Sequence, residues 1–177
     1  MMRARQESCC FTGHRNAKLP WGDNEYDERC LALKERIHEA VETAYTNGFR
    51  HFICGMAEGC DTYFCEEVMA LRARHQDVTI EAAIPFAEQA EKWCEEDRER
   101  YRDLVERCDY ETVVQNHYTL GCMQRRNRYM VDHASLLIAV HNGQSGGTRN
   151  TIEYAFSRQI DVVILPVPVE NDKRNGG

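Results

Sequence analysis

The chain has 177 residues, a formal net charge of -7 and 42% hydrophobic residues. This length and composition are typical of one globular domain with a buried core. The acidic balance argues against a general nucleic-acid-binding surface and against DNA as a partner, because binding to the phosphate backbone needs clustered lysine and arginine. A small anionic ligand is compatible with this charge, since one site needs only local positive charge.

Nine cysteines are an unusually high and odd number for this length. The opening MMRARQESCC lacks the apolar segment of a signal peptide, and no apolar run is long enough to span a bilayer. We therefore expect reduced thiols, a cytoplasmic location and no membrane association. No C-x-x-C pair occurs, and Cys54, Cys60 and Cys65 lack the usual spacing of zinc ligands. No metal site is expected, and most cysteines should pack as small hydrophobic residues.

Short apolar runs alternate with longer amphipathic runs along the chain. The runs predicted as strands are 8–12, 51–54, 78–84, 111–114, 135–140 and 161–167. The segments predicted as helices are 27–47, 62–74, 87–108 with a break near Trp93, 122–133 and 148–158. This order predicts an α/β fold, a three-layer, Rossmann-like, doubly wound and mostly parallel sheet with helices on both faces. We expect a single domain over 8–168, with flexible termini at 1–7 and 169–177.

Turns that contain glycine follow three of the predicted strands. They are TGHR after the first strand, GMAEGCD after the second and NGQSGGT after the fifth. In a parallel sheet these turns share the carboxyl edge, where open α/β sheets bind their ligands. Because chain reversal does not require glycine each time, three such turns on one edge predict a ligand site.

The first turn combines backbone freedom with positive charge. Gly13 lets the backbone approach a ligand, and His14 and Arg15 offer positive charge. The alternative is a plain turn with a solvated Arg15, and the sequence leaves both open.

The second turn combines two glycines with a carboxylate. Gly55 and Gly59 allow a tight turn before the next helix, and Asp61 lies near the first turn of that helix. Asp61 could bind a ribose hydroxyl of a ligand. It could equally cap the helix, since Asp is favoured at N-cap positions.

The third turn is the most informative of the three. Its successive backbone N–H groups could form a concave nest for an anion, contributed by Gly146, Gly147 and Thr148. The following helix would point its positive end at that anion, and Arg149 adds charge. The alternative is a capping box with Asn150 as N-cap and Glu153 three residues later. The capping box leaves the paired glycines unexplained, so we favour the anion site.

The helix predicted from CMQRRNRYMVD also begins near the carboxyl edge. Arginines near its N-terminus are unfavourable beside the positive end of the helix dipole unless negative groups lie close to them. A bound phosphate could do so, and so could acidic side chains of the preceding helix. Arg126 and Asn127 are therefore candidate ligand-binding residues.

Taken together, these motifs resemble a known family. TGHR, GMAEGCD, AIPF, the tryptophan after it, RNRYMVD and the GGT turn occur in the order and spacing of the YpsA-like proteins of the SLOG superfamily. The resemblance covers nearly the whole chain, from Cys9 to about Pro166, and Gly59 and Asp61 match the glycine and acid of the second turn. It implies a modified Rossmann fold that binds a nucleotide or nucleotide-derived ligand, in a sensor role. The superfamily also includes DprA-type DNA-processing proteins.

An enzymatic alternative comes from another branch of the superfamily. The Lonely-guy phosphoribohydrolases cleave the base from nucleoside monophosphates and resemble this chain at their motif PGG-x-GT-x-x-E, whose glutamate is catalytic. Here SGGTRNTIE keeps two glycines and Glu153 but lacks the proline and the third glycine. The alternative function is thus an N-glycosidase acting on nucleoside monophosphates or related nucleotides, with Glu153 and Asp61 as catalytic candidates.

Two further expectations concern cofactors and assembly. The G-x-G-x-x-G fingerprint of dinucleotide-dependent dehydrogenases is absent after the first strand, so no cofactor is expected. SLOG relatives often dimerise, which leaves a homodimer open.

Overall fold

The computed structural model describes residues 4–168, so the expectations for 1–3 and 169–177 lie outside the described residues. Before the first strand, Arg5–Glu7 forms one turn of 3-10 helix. The strands are β1 Ser8–Thr12, β2 His51–Cys54, β3 Thr79–Ile84, β4 Tyr110–Val113, β5 Leu136–His141 and β6 Asp161–Pro166. The α-helices are α1 Glu28–Thr46, α2 Cys60–Arg74, α3 Glu95–Arg107, α4 Cys122–Asp132 and α5 Gly147–Ser157.

The six strands form one parallel sheet in the order β4-β3-β2-β1-β5-β6. The predicted Rossmann-like, doubly wound architecture is confirmed. From β1 the chain winds outward through β2 to β4, then returns to place β5 on the other side of β1. The strand order therefore reverses between β1 and β5, and such switch points open a crevice at the carboxyl ends of the strands.

Helices cover both faces of the sheet, and each face has its own core. Alternate residues of a strand point to opposite faces, so Phe11 packs with α1 and α2, whereas Cys10 faces α4 and α5. On the first face, the rings of Phe11 and Phe64 stack with centroids 4.5 Å apart. Because the central strands are buried on both faces, they read as continuous apolar runs.

The helix predicted over 87–108 is shorter in the structure. Turns occupy the first part, and α3 begins only at Glu95, after an extended Cys94. Glu95, Glu96 and Asp97 stand in the first turn of α3, where negative charge complements the helix dipole. The prediction was therefore wrong for the residues before the expected break near Trp93. The acidic run after that break marks the start of the helix.

Candidate functional site

A cleft of about 260 Å³ opens at the switch point between β1 and β5. The turns after β1 and β2 form its walls, together with the N-terminal turns of α4 and α5. We call it the carboxyl-edge cleft. Its lining contains eight of the predicted binding residues, which are Gly13, His14, Arg15, Asp61, Arg126, Asn127, Gly147 and Thr148. The topology thus brings residues from four separate segments together, and their binding of a ligand stays a prediction.

The N-terminus of α5 faces this cleft without a side-chain cap. Gly146 is the N-cap residue, at φ 149°, and no side-chain capping hydrogen bond is made there. Asn150 lies inside α5 and its N–H bonds to the carbonyl of Gly146, so the capping-box interpretation was wrong. A Cβ on Gly147 would have no atom within 4 Å. Since the first N–H groups of a helix have no intrahelical partner, this end is open to an anion.

Two exposed cations border the same end of the cleft. Arg15 bonds through Nη2 to the sulfur of Met123 at 3.6 Å. Lys18 ends the 3-10 turn Asn16–Lys18, and its Nζ lies 2.8 Å from where a Cβ of Gly146 would stand. Sequence analysis missed Lys18, although a cation soon after a strand in a glycine turn is the signal that also selected Arg15.

Arg126 is buried at the floor of the cleft, with 4% of its surface exposed. Its Nη1 donates to the carbonyl of Gly55 and, at 3.4 Å, to that of Ala83. Its Nε donates to Asn127 Oδ1 at 2.9 Å. Arg126 thus donates hydrogen bonds to backbone carbonyls at the ends of strands rather than to acidic side chains of α3. Burial lowers the pKa of Arg126, and the charge of Asp61 opposes that shift.

Asp61 is a buried carboxylate in the same cleft. The N-cap of α2 is Gly59 and makes no side-chain hydrogen bond, so the interpretation of Asp61 as a helix cap was wrong. Asp61 Oδ2 instead accepts the N–H of Ala57 at 3.0 Å. Burial raises the pKa of Asp61 above its usual range, although Arg126 and the Ala57 N–H favour the charged form. This carboxyl is therefore better suited to carry a proton than an exposed one.

His14 does not supply the positive charge expected from the sequence. It is 7% exposed, and its Nε2 accepts the backbone N–H of Asn142 at 3.1 Å. Burial, together with the nearby charges of His141 and Lys18, lowers the pKa of His14 to about 4. His14 is therefore neutral at pH 7 and joins the turn after β1 to the loop after β5.

Other predicted residues lie outside the lining of the cleft. Gly55 and Gly59 pack beneath it, and Gly146 stands beside Lys18. Arg149 Nε pairs with Glu153 Oε1 at 3.1 Å, and these side chains are 51% and 61% exposed. The catalytic role of Glu153 stays a prediction that would require access from outside the cleft.

Within residues 4–168, no three His, Cys, Asp or Glu side chains are grouped to hold a metal ion. Over the same range, no helix has the length and apolar character needed to cross a membrane.

Solved structures of similar fold come from DNA-processing proteins. DprA of Streptococcus pneumoniae matches with a TM-score of 0.62 and 14% identity over 94% of this chain, which spans 52% of that protein. The Helicobacter pylori DprA structure, described for its single-stranded DNA binding mode, matches with a TM-score of 0.62 and 14% identity over 95% of this chain and 68% of its own.

The expectation that acidic charge argues against DNA is contradicted by this likeness, because a neighbour of the same fold binds single-stranded DNA. The physical reason is that net charge averages over the chain, whereas Arg15, Lys18 and Arg126 are concentrated at one cleft.

Sequence relatives are found among bacterial proteins. The uncharacterized SPbeta prophage-derived protein YoqJ of Bacillus subtilis is 31% identical over 139 residues, 71% of this chain and 81% of the relative. A UPF0398 protein of Halalkalibacterium halodurans is 25% identical over 153 residues, 84% of this chain and 80% of the relative. The family model YpsA, described as the YspA SLOG family, matches residues 9–161. The chain therefore belongs to the YpsA family of SLOG proteins.

Proposed function

We propose that this protein binds a nucleotide or nucleotide-derived ligand in the carboxyl-edge cleft, in a sensor role. The observation that carries the proposal is the open N-terminus of α5, where a Cβ on Gly147 would meet no atom within 4 Å. Free N–H groups and the helix dipole at such an end favour phosphate. Arg15 and Lys18 border the same cleft and would add charge-assisted hydrogen bonds.

The rest of the cleft suits the remainder of a nucleotide. Apolar side chains line it beyond the phosphate end, including Met123 and Met130. A base could pack against these flexible thioethers. Asp61 and Asn127 would then offer hydrogen bonds to ribose hydroxyls.

A panel of AMP, ATP, NAD and ADP-ribose tests the proposal. Each is incubated with the protein while the melting temperature is recorded, and the mixture is analysed by mass spectrometry. A ligand that binds only the folded state raises the melting temperature, so a rise with an intact nucleotide supports the binding function. Failure of the whole panel to shift the melting temperature would contradict it.

Two variants and one control locate the phosphate. Gly147→Val should abolish nucleotide binding without unfolding the chain, because the space beside Gly147 is open in the free protein. Lys18→Gln should weaken binding about tenfold, as expected for the loss of one charged phosphate contact. Arg102→Gln removes the same charge from an exposed position of α3 outside the cleft and should bind normally. Normal binding by Gly147→Val would exclude α5 as the phosphate site.

A second candidate is the N-glycosidase, and it rests on Asp61. Among the described residues that line the cleft, Asp61 is the sole carboxylate, and its raised pKa suits proton donation. Cleavage of an N-glycosidic bond passes through an oxocarbenium-like state that a carboxylate stabilises. Release of free base by the native protein, lost in Asp61→Asn and retained in Glu153→Gln, would support this function. Loss in Glu153→Gln alone would favour the motif-based assignment instead.

Single-stranded DNA is a third candidate, favoured by the fold shared with the Helicobacter pylori protein. Fluorescence anisotropy of a labelled oligothymidine at low and high salt measures it directly. DNA held by phosphate contacts should dissociate as salt rises, and Lys18→Gln should weaken it. Competition by AMP would place DNA and nucleotide in one cleft.

A cytoplasmic location belongs to the same proposal. All nine cysteines are free thiols in the structure, which is the usual state of cysteine in a reducing compartment.

A further inference from the structure

A second cavity of about 260 Å³ lies on the other side of Gly59 from the carboxyl-edge cleft. Ala57 lines the cleft, whereas Glu58 and Gly59 line this cavity. The wall between them is thin, because the backbone of residues 14–16 lies within 3.0 Å of where a Cβ of Gly59 would stand. We call it the acidic cavity and define it by Asp23, Glu58, Trp93, Asp97 and Tyr101.

The cavity is lined by five carboxylates and one cationic side chain, and the dipole of α3 offsets part of the charge of Glu96 and Asp97. Its one lining cation, Arg100, is already held by Glu25 at 2.9 Å and by Glu66 at 2.7 Å. Four other lining carboxylates have no cationic side chain within 4 Å in the described part of the chain, and these are Asp23, Glu58, Glu96 and Asp97. Burial raises the pKa of Glu58, the N–H of Asn16 and the charge of Arg15 oppose that shift, and repulsion from Asp97 and Asp23 adds to it. A cation in the cavity would remove this repulsion.

Aromatic side chains form part of the wall. The rings of Trp93 and Tyr101 lie 5.3 Å apart at 81°, so they meet at a corner. Such faces attract organic cations through the ring quadrupole. Lys34 Nζ already lies 4.9 Å above the ring of the lining residue Tyr63.

A buried acceptor lies against the same wall. Gln89 is 5% exposed, and its Nε2 donates to the carbonyl of the lining residue Met56 at 3.4 Å. Its Oε1 has no hydrogen-bond partner among the described residues. Gln89 therefore lies behind the lining at Met56 and supports that part of the wall.

We propose that the acidic cavity binds a small organic ammonium ion, seated against Trp93 and Tyr101 and neutralised by Glu58 and Asp97. The class of ligand follows from three features: a cavity of about 260 Å³, carboxylates that form no ion pair in the described part of the chain, and the rings of Trp93 and Tyr101. An anionic ligand is excluded by the charge. A metal ion lacks a grouped set of ligands in residues 4–168 and would gain nothing from the rings.

Choline and its uncharged carbon analogue 3,3-dimethylbutan-1-ol test the proposal, because they share one shape and differ in charge. Each is titrated into the full chain by calorimetry and followed by the indole N–H resonance of Trp93. Choline should bind saturably and move this resonance, and the neutral analogue should bind at least about tenfold more weakly. Glu58→Gln and Asp97→Asn should each weaken choline severalfold. Glu106→Gln, which removes one exposed carboxylate of α3 outside the cavity, should not.

Equal affinity for choline and its neutral analogue would overturn the proposal, and so would absence of saturation at choline concentrations on the order of 10 mM. Equal behaviour of Asp97→Asn and Glu106→Gln would also overturn it. The melting temperature of each variant checks folding, and Asp97→Asn remains informative if Glu58→Gln is unstable. AMP binding in the carboxyl-edge cleft is an independent readout that these substitutions should leave unchanged.

Discussion

Glycine plays opposite roles in the turns that surround the carboxyl-edge cleft. In the turns after β1 and β2 the protein itself fills the space that a side chain would need. A Cβ on Gly13 would lie 2.5 Å from Cys60 Cβ, one on Gly55 2.8 Å from Arg126 Cζ, and one on Gly59 2.8 Å from the carbonyl oxygen of His14. Gly147 at the start of α5 has no such neighbour. The glycines of the first group allow close packing between segments of the protein, whereas Gly147 leaves open space at the start of α5.

The space beside each glycine distinguishes the glycines needed for packing from the one available for binding, which the sequence alone does not do. All these glycines follow strands and all reach one edge of the sheet. Substitution of the packed ones should cost stability, whereas substitution of Gly147 should cost binding alone. Substitutions at these positions should therefore differ in their effect on the free energy of unfolding.

Gly59→Ala should lower the free energy of unfolding by about 2–4 kcal/mol, because strain at positive φ adds to a clash with backbone that cannot move aside. Gly59 has φ +85° and neighbours at 2.8–3.0 Å. Gly48→Ala is the matched control, with φ +99° and no atom within 4 Å. Chemical denaturation should show the larger loss for Gly59→Ala. Equal losses would mean that backbone strain alone requires glycine in the second turn.

Arg126→Met should lower the free energy of unfolding by about 2 kcal/mol, since it removes the donor that satisfies buried carbonyls and leaves Asp61 without its nearby charge. The side chain of Arg126 fills the space beside Gly55, so this variant tests how much that packing contributes to stability. Adding Asp61→Asn should restore part of the loss, which a double-mutant cycle measures. Strict additivity would show that Asp61 and Arg126 do not interact.

Acidification should reduce the stability that His14 contributes by joining the turn after β1 to the loop after β5. The pKa of His14 falls from 6.5 to about 4 on folding, so the unfolded chain binds a proton that the folded chain does not. Stability contributed by His14 is therefore present above pH 6.5 and is lost as the pH falls towards 4, by at most about 1.4 kcal/mol per pH unit. The difference in stability between the native protein and His14→Gln should shrink over this range. A constant difference would exclude His14 as the titrating group.

Gly147→Ala should change the free energy of unfolding least, and by less than about 1 kcal/mol in the stabilising direction, because alanine restricts the unfolded chain and fits the open space. Thermal unfolding of the free protein measures this effect. A loss of unfolding free energy comparable with that of Gly59→Ala would contradict the distinction between packed and open glycines.

The sheet was largely predictable from sequence because burial on both faces leaves a direct pattern. Strand β1, Ser8–Thr12, is buried at every position and was predicted with its observed ends. Residues before Glu95 were assigned to a helix in error, since a charged amphipathic run does not reveal that Gln89 is held by the carbonyls of Gly55 and Met56.

The candidate site was predictable only in its position. Parallel strands place the glycine turns on one edge, which selected Gly147. Arg126 was selected because its helix begins near the same edge, where arginine opposes the helix dipole. The neutral state of His14 could not be read from the sequence, because it depends on burial and on the nearby charges of His141 and Lys18 in the folded protein. Lys18 was missed because its contact with the third turn exists only after folding. Roles set by tertiary contacts are the ones that residue type does not encode.

The central place of β1 has a consequence for how the protein is made. One edge of β1 pairs with β2, where Cys9 faces Phe52, and the other edge pairs with β5, where Cys9 faces Leu136. During synthesis the second edge stays unpaired until most of the chain has left the ribosome. Such long-range pairing slows folding and exposes an apolar strand meanwhile. The switch point, and the cleft above it, therefore form late, so a nascent chain that ends before β5 has four of the six strands and lacks the β5 side of the cleft.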